Sequence, residues 1–93
     1  MEIIYQNYDK VKVASKEHFV KKLEAYGSVT KSSFSKESDI DFLVTFKEIP
    51  FSKFSKNFFS YHSALELIFK RKIDLSIAEK KNNELFSITL KVI

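Results

Sequence analysis

Residues 27–41 read GSVTKSSFSKESDID, and the reading of this stretch decides the fold. It holds the only glycine of the 93-residue sequence, Gly27, and then two aspartates one residue apart, Asp39 and Asp41. From position 39 the chain runs DIDFLVTF, β-branched and aromatic, with a Ser/Lys/Glu-rich loop before it and a proline soon after. That composition predicts a strand over 39–46. Side chains alternate along a strand, so Asp39, Asp41 and Leu43 share one side and Ile40, Phe42 and Val44 the other. Both sides turn apolar beyond Asp41, the pattern of a strand covered on two faces. The carboxylates then stand at its N-terminal end.

Upstream, FVKKLEAY at 19–26 reads as a short strand that stops at Gly27, with an extension of the preceding helix as the alternative. Before it, Ile4, Tyr8, Val11 and Ala14 recur at spacings of four, three and three, which predicts one helix over 3–17. Downstream, Phe54, Phe58, Tyr61, Leu65 and Ile68 step by four, three, four and three along a second helix. Ser52 is its expected N-cap, and Lys70, Arg71 and Lys72 suit the negative end of its dipole. KIDLSI at 72–77 predicts a third strand with Asp74 inside it. In the tail, Phe86, Ile88, Leu90 and Val92 alternate as in an edge strand, while Leu85, Ile88 and Val92 would also line a helix. The expected fold class is α+β: one domain over 1–93, a small mixed sheet of three to four strands, and helices packed on one face.

Hydrophobic residues at 44% and charged residues at 30% fit an ordinary globular domain. Cysteine is absent, which removes disulfides and thiolate metal sites and fits a reducing cytoplasm. The start, MEIIYQNYDK, has no basic segment leading into an apolar run, and no apolar stretch approaches the ~20 residues that span a bilayer. A cytoplasmic protein without a membrane partner is expected. The net charge of +4 is dispersed and carries no nucleic-acid motif, so nucleic acid is not an expected partner. Ten phenylalanines are many for this length. Phe51 and Phe59 fall off the main helical stripe and fit either a wide buried face or an exposed contact, including a homodimer. His18 and His62 are isolated, lack zinc-site spacing and are read as structural.

Two carboxylates at i and i+2 on a strand project together and repel one another. A hard cation such as Mg²⁺ removes that conflict. If the 39–46 and 72–77 strands are neighbours, Asp74 adds a third carboxylate, the set that two-metal phosphoryl or nucleotidyl transfer demands. The plainer alternative is that Ser38-Asp39 begins a strand from a turn and Asp74 pairs with Arg71 or Lys72. Gly27 permits close backbone approach to a ligand, and the Ser28 hydroxyl with the amides after it can cradle phosphate; Gly-Ser is equally common in plain turns. Lys31 and Lys36 in the same loop are placed to meet a triphosphate or to stay solvated.

Together these residues carry a resemblance. Gly27-Ser28, ten residues, then Asp39-Ile40-Asp41 preceded by Ser38, followed by KRKIDLSI with Asp74, resembles the DNA polymerase beta-like nucleotidyltransferase superfamily in its minimal form. The resemblance implies a nucleoside triphosphate substrate, ATP first among them, and two Mg²⁺ ions. Asp39 and Asp41 would ligate both ions. Asp74 would ligate the catalytic ion and help deprotonate the acceptor hydroxyl. Gly27 and Ser28, with Lys31 and Ser38 beside them, would bind the nucleotide. It also implies a HEPN-type toxin as partner: minimal domains of this kind act as antitoxins that transfer AMP onto a toxin hydroxyl. Ser32 stands where many members have a second glycine, and Val29 and Lys31 where many have arginine. This departure motivates an alternative in which the domain silences its partner by occlusion, with weak transfer or none.

Overall fold

The computed structural model describes residues 2–26 and 39–78 in full and the backbone of 87–91. Its elements are α1 (Glu2–Gln6), α2 (Tyr8–Glu17), β1 (Val20–Tyr26), β2 (Ile40–Phe46), α3 (Phe51–Phe69), β3 (Ile73–Ile77) and β4 (Ser87–Lys91). The four strands form one mixed sheet in the order β3-β2-β1-β4. β1 pairs antiparallel with β2 and β4, and β2 pairs parallel with β3. A parallel pair needs a crossover connection, and α3 supplies it. The expected α+β class with a small mixed sheet is what the chain adopts, and the tail contributes an edge strand.

The helix expected over 3–17 is broken at Asn7. Its side-chain Nδ2–H donates to the Ile3 carbonyl at 2.8 Å and its backbone N–H to the Ile4 carbonyl at 3.2 Å. An asparagine that bonds the preceding turn competes with the regular ladder, so α1 stops and α2 restarts. The apolar face survives the break: Ile4, Val11 and Ala14 are all buried.

Between α2 and β1 the chain turns through Phe19, whose φ of 60° is left-handed. For a residue with a Cβ this costs about 1–2 kcal/mol. Neighbouring bonds hold the turn: the Lys47 N–H donates to the Phe19 carbonyl at 2.7 Å, and Asn57 Nδ2–H to the His18 carbonyl at 2.9 Å. A register shift between Val20 and Lys22 then re-phases β1, so that Val20, Leu23 and Ala25 are all buried.

α3 begins two residues earlier than the Ser52 cap would place it. Pro50 is the N-cap, with no side-chain cap bond, and Ser52 lies inside the first turn. The Lys53 N–H in the first turn donates instead to the Pro50 carbonyl at 2.9 Å, so this donor is satisfied without a side-chain cap. The stripe centres on Tyr61, Leu65 and Phe69, which are buried, while Phe54, Phe58 and Ile68 lie at its margins. Phe46 of β2 sits among Phe54, Phe58 and Tyr61 at ring-centroid distances of 5.5, 6.4 and 6.0 Å. The helix ends at Lys70 in a left-handed conformation, φ 56°, its N–H donating to the Glu66 carbonyl at 2.8 Å.

The helices share one core with one face of the sheet. Ile40, Phe42 and Val44 of β2 are fully buried there, as is Ile73 of β3, while Asp41, Leu43 and Thr45 on the other face are only half-buried. The two-sided cover expected for β2 is therefore not found among the described residues. Behind the sheet, Ser15 Oγ and Tyr61 Oη, both residues fully buried, share a 2.7 Å hydrogen bond that ties α2 to α3.

Candidate active site

Three aspartates lie at one end of the sheet, on the face away from the helices. Asp41 follows Ile40 and Asp74 follows Ile73, both core residues, so alternation turns each carboxylate to the open face. The parallel register makes Asp41 and Asp74 direct partners on adjacent strands. The Ile40 N–H donates to the Lys72 carbonyl at 3.3 Å and closes the two strands together at this end. Asp39 precedes β2 and is exposed.

The electrostatics report the crowding. The Asp41 carboxyl is pushed above the usual carboxylate range, first by burial, then by the charges of Asp74 and Asp39, and finally by a hydrogen bond with Asp74. A carboxyl that bonds another carboxylate must carry a proton, so Asp41 donates to Asp74 in its protonated form.

The negative charge crowded at Asp41 is what a cation would relieve. The donors are hard oxygens, which suit Mg²⁺. Among the described residues no three His, Cys, Asp or Glu side chains close into a ready-made cation cage. Asp39 acts on Asp41 as a charge, and the closely joined part is the Asp41–Asp74 pair. The donor chemistry fits the ion, with the third carboxylate, Asp39, standing beside the pair.

Gly27, Ser28, Lys31 and Ser38 lie outside the described residues. The strand residues flanking that stretch do not: Tyr26 ends β1 and is the register partner of Asp41. Tyr26, Asp41 and Asp74 thus form one row across three strands on the open face. Glu24, two residues back on β1, extends that face and lies 3.9 Å from Lys22 Nζ. Sequence reasoning passed over Tyr26 and Glu24. The signal was their alternation with the buried Leu23 and Ala25, which becomes useful only once the β1–β2 register is known.

Both histidines serve the fold. His18 Nδ1–H donates to the Ala14 carbonyl at 2.7 Å, and the ring meets that of Tyr61 at 5.4 Å. His62 Nε2–H donates to the Ile73 carbonyl at 2.8 Å. Phe51 and Phe59 are 94% and 64% exposed, which decides against the wide buried face. A cleft of about 600 Å³, lined by Phe19, Ile49, Pro50 and Lys53 among others, lies at the opposite end of β1 and β2. Its His18 and Ser60 side chains bond each other at 2.9 Å, and it is separated from the carboxylates by most of the length of β2. No helix of the described residues is long and apolar enough to cross a membrane.

No curated protein matches the chain significantly. The sequence profile described as "Polymerase beta, Nucleotidyltransferase" matches residues 9–91, a span that includes β1, β2, β3 and all three aspartates. Such a match supports a general role in nucleotidyl transfer. With the mixed sheet and the row of carboxylates at its end, it shows that the chain belongs to the polymerase beta nucleotidyltransferase family.

Proposed function

We propose that the domain transfers a nucleoside monophosphate, AMP from ATP, onto a hydroxyl of a partner protein in a magnesium-dependent reaction. The observation that carries this reading is the registered Asp41–Asp74 pair with the charge of Asp39 upon it. Asp39 and Asp41 would hold two Mg²⁺ ions, and Asp74 one of them. Bound there, magnesium would supply a Lewis acid for the attacking oxygen and neutralise the leaving pyrophosphate.

The chain's own groups do the rest. Gly27 and Ser28, with Lys31 and Ser38, would bind the nucleotide phosphates. The Asp74 carboxylate accepts the proton of the acceptor hydroxyl. The new bond joins that oxygen to the α-phosphorus, the bond to the β-bridging oxygen breaks, and pyrophosphate leaves. A macromolecular acceptor fits a site on an open face. A HEPN-type toxin as that acceptor, with this domain as antitoxin, rests on the resemblance of minimal domains carrying the Gly-Ser and Asp-x-Asp pattern.

Incubation of the purified chain with a candidate partner and α-labelled ATP tests the reading. Wild type should label the partner, and Asp39→Asn should abolish labelling. Equal labelling by that variant rejects the assigned role.

A further inference from the structure

The third carboxylate sits on the least supported strand of the site. β3 ends the sheet order, so among the described residues only β2 holds it by strand pairing. Edge strands open more readily than central ones. A hold on the outer side is what keeps Asp74 in register with Asp41.

The outer side is gripped at one residue. The Ile73 N–H donates to Glu66 Oε2 at 3.2 Å, and the Ile73 carbonyl accepts from His62 Nε2–H at 2.8 Å. These two side chains stand one turn apart on α3 and also meet each other, His62 Nε2 to Glu66 Oε2 at 3.4 Å. They replace, for a single residue, both ladder bonds that a further strand would have made. Ile73 is the residue before Asp74, and its own side chain is anchored in the core. With backbone and side chain both fixed, the direction of the next side chain is set.

We infer that His62 and Glu66 are positioning residues for Asp74, acting through the backbone of Ile73. The inference rests on the proposed role of the aspartates. Neither residue touches the reacting atoms. Catalytic carboxylates must be held within about 0.5 Å of their working geometry, and loss of groups that orient ligands typically weakens metal binding or activity by about 10- to 100-fold.

Mn²⁺ binding, followed by electron paramagnetic resonance on the full chain, tests it together with amide exchange at Ile73. Glu66→Met and His62→Leu remove the grip, whereas Glu66→Gln and His62→Gln keep an acceptor and a donor of similar reach. The expected result is Mn²⁺ affinity about tenfold weaker in the first pair, with faster exchange at Ile73 in Glu66→Met, and recovery in the second pair. Thermal melts report whether each variant is folded under assay conditions. Folded Glu66→Met and His62→Leu proteins that bind Mn²⁺ like wild type, while Asp39→Asn and Asp74→Asn do not, would overturn this inference alone. Unchanged binding in Asp39→Asn and Asp74→Asn would instead remove the reading of the site, and the inference with it. Weakening that the two glutamine variants fail to reverse would assign His62 and Glu66 to general stability and also overturn the inference.

Discussion

Tyr61→Phe removes a single oxygen from the centre of the molecule. The ring contacts with Phe46 and His18 remain, so the variant isolates the 2.7 Å bond to Ser15. A buried hydrogen bond of this kind contributes about 1 kcal/mol net, and up to about 3 when the partner is left unsatisfied. Ser15 sits inside α2 and can turn its hydroxyl to the carbonyl one turn back, so the lower figure applies at neutral pH. A loss of about 1 kcal/mol lowers the melting temperature of a domain this size by about 4–8 °C.

The same site makes a second demand at alkaline pH. Burial pushes the Tyr61 hydroxyl from 10.0 up to about 12, against the lowering effect of the Ser15 bond. A raised acid leaves stability intact below the unfolded value and removes it as pH climbs through the folded one. Wild type therefore loses about 1.4 kcal/mol from this group by about pH 11, and about 2–3 kcal/mol once both forms ionise. Tyr61→Phe has nothing to ionise there. Urea unfolding of both proteins from pH 8 to 11 measures the difference directly, since all other titrations cancel. The wild-type advantage should shrink above about pH 10 and reverse near pH 11. Two curves that stay parallel across that range would refute the account, because Tyr61 would then ionise equally in both states.

Four further outcomes follow from the site and the core. Asp41→Asn should raise the melting temperature of the metal-free protein at neutral pH while abolishing transfer; because the Asp41 carboxyl is raised, its gain over wild type should fade as pH drops through that raised value. Magnesium at about 100 times its dissociation constant should stabilise wild type by about 2.7 kcal/mol, and calorimetry should find a much smaller effect in Asp41→Asn and Asp74→Asn. Leu65→Ala should cost about 2–5 kcal/mol in urea unfolding, whereas Phe51→Ala, at a side chain 94% exposed, should stay within about 0.5 kcal/mol. If Asp41→Ala still silences a toxin partner completely in a growth assay, occlusion rather than catalysis is the mechanism.

The site was legible in the sequence as far as local rules reach. Strand alternation alone placed Asp39 and Asp41 on one side of a strand, and the Gly-Ser to Asp-x-Asp spacing carried the family. Strand pairing is not local, which is why the direct partnership of Asp41 with Asp74 needed coordinates and why Tyr26 and Glu24 went unnoticed beside them. The α1–α2 break escaped because periodicity does not register an Asn7 side chain bonding the Ile3 carbonyl. The Ser52 cap misled because a serine is a common N-cap, yet Pro50 already ends the preceding extended segment. Leu43 read as covered because it is apolar enough for an interior, though it lies half in water.

Helices on one side of the sheet leave the carboxylate row without a roof among the described residues. A pocket with a lid can dry its reactants by itself; a ledge cannot. Under the proposed transfer, water would compete with the acceptor hydroxyl for the activated phosphorus until the acceptor macromolecule docks over the row. Selectivity in such an arrangement belongs to the docked pair, and nucleotide supplied alone should be consumed only by slow hydrolysis.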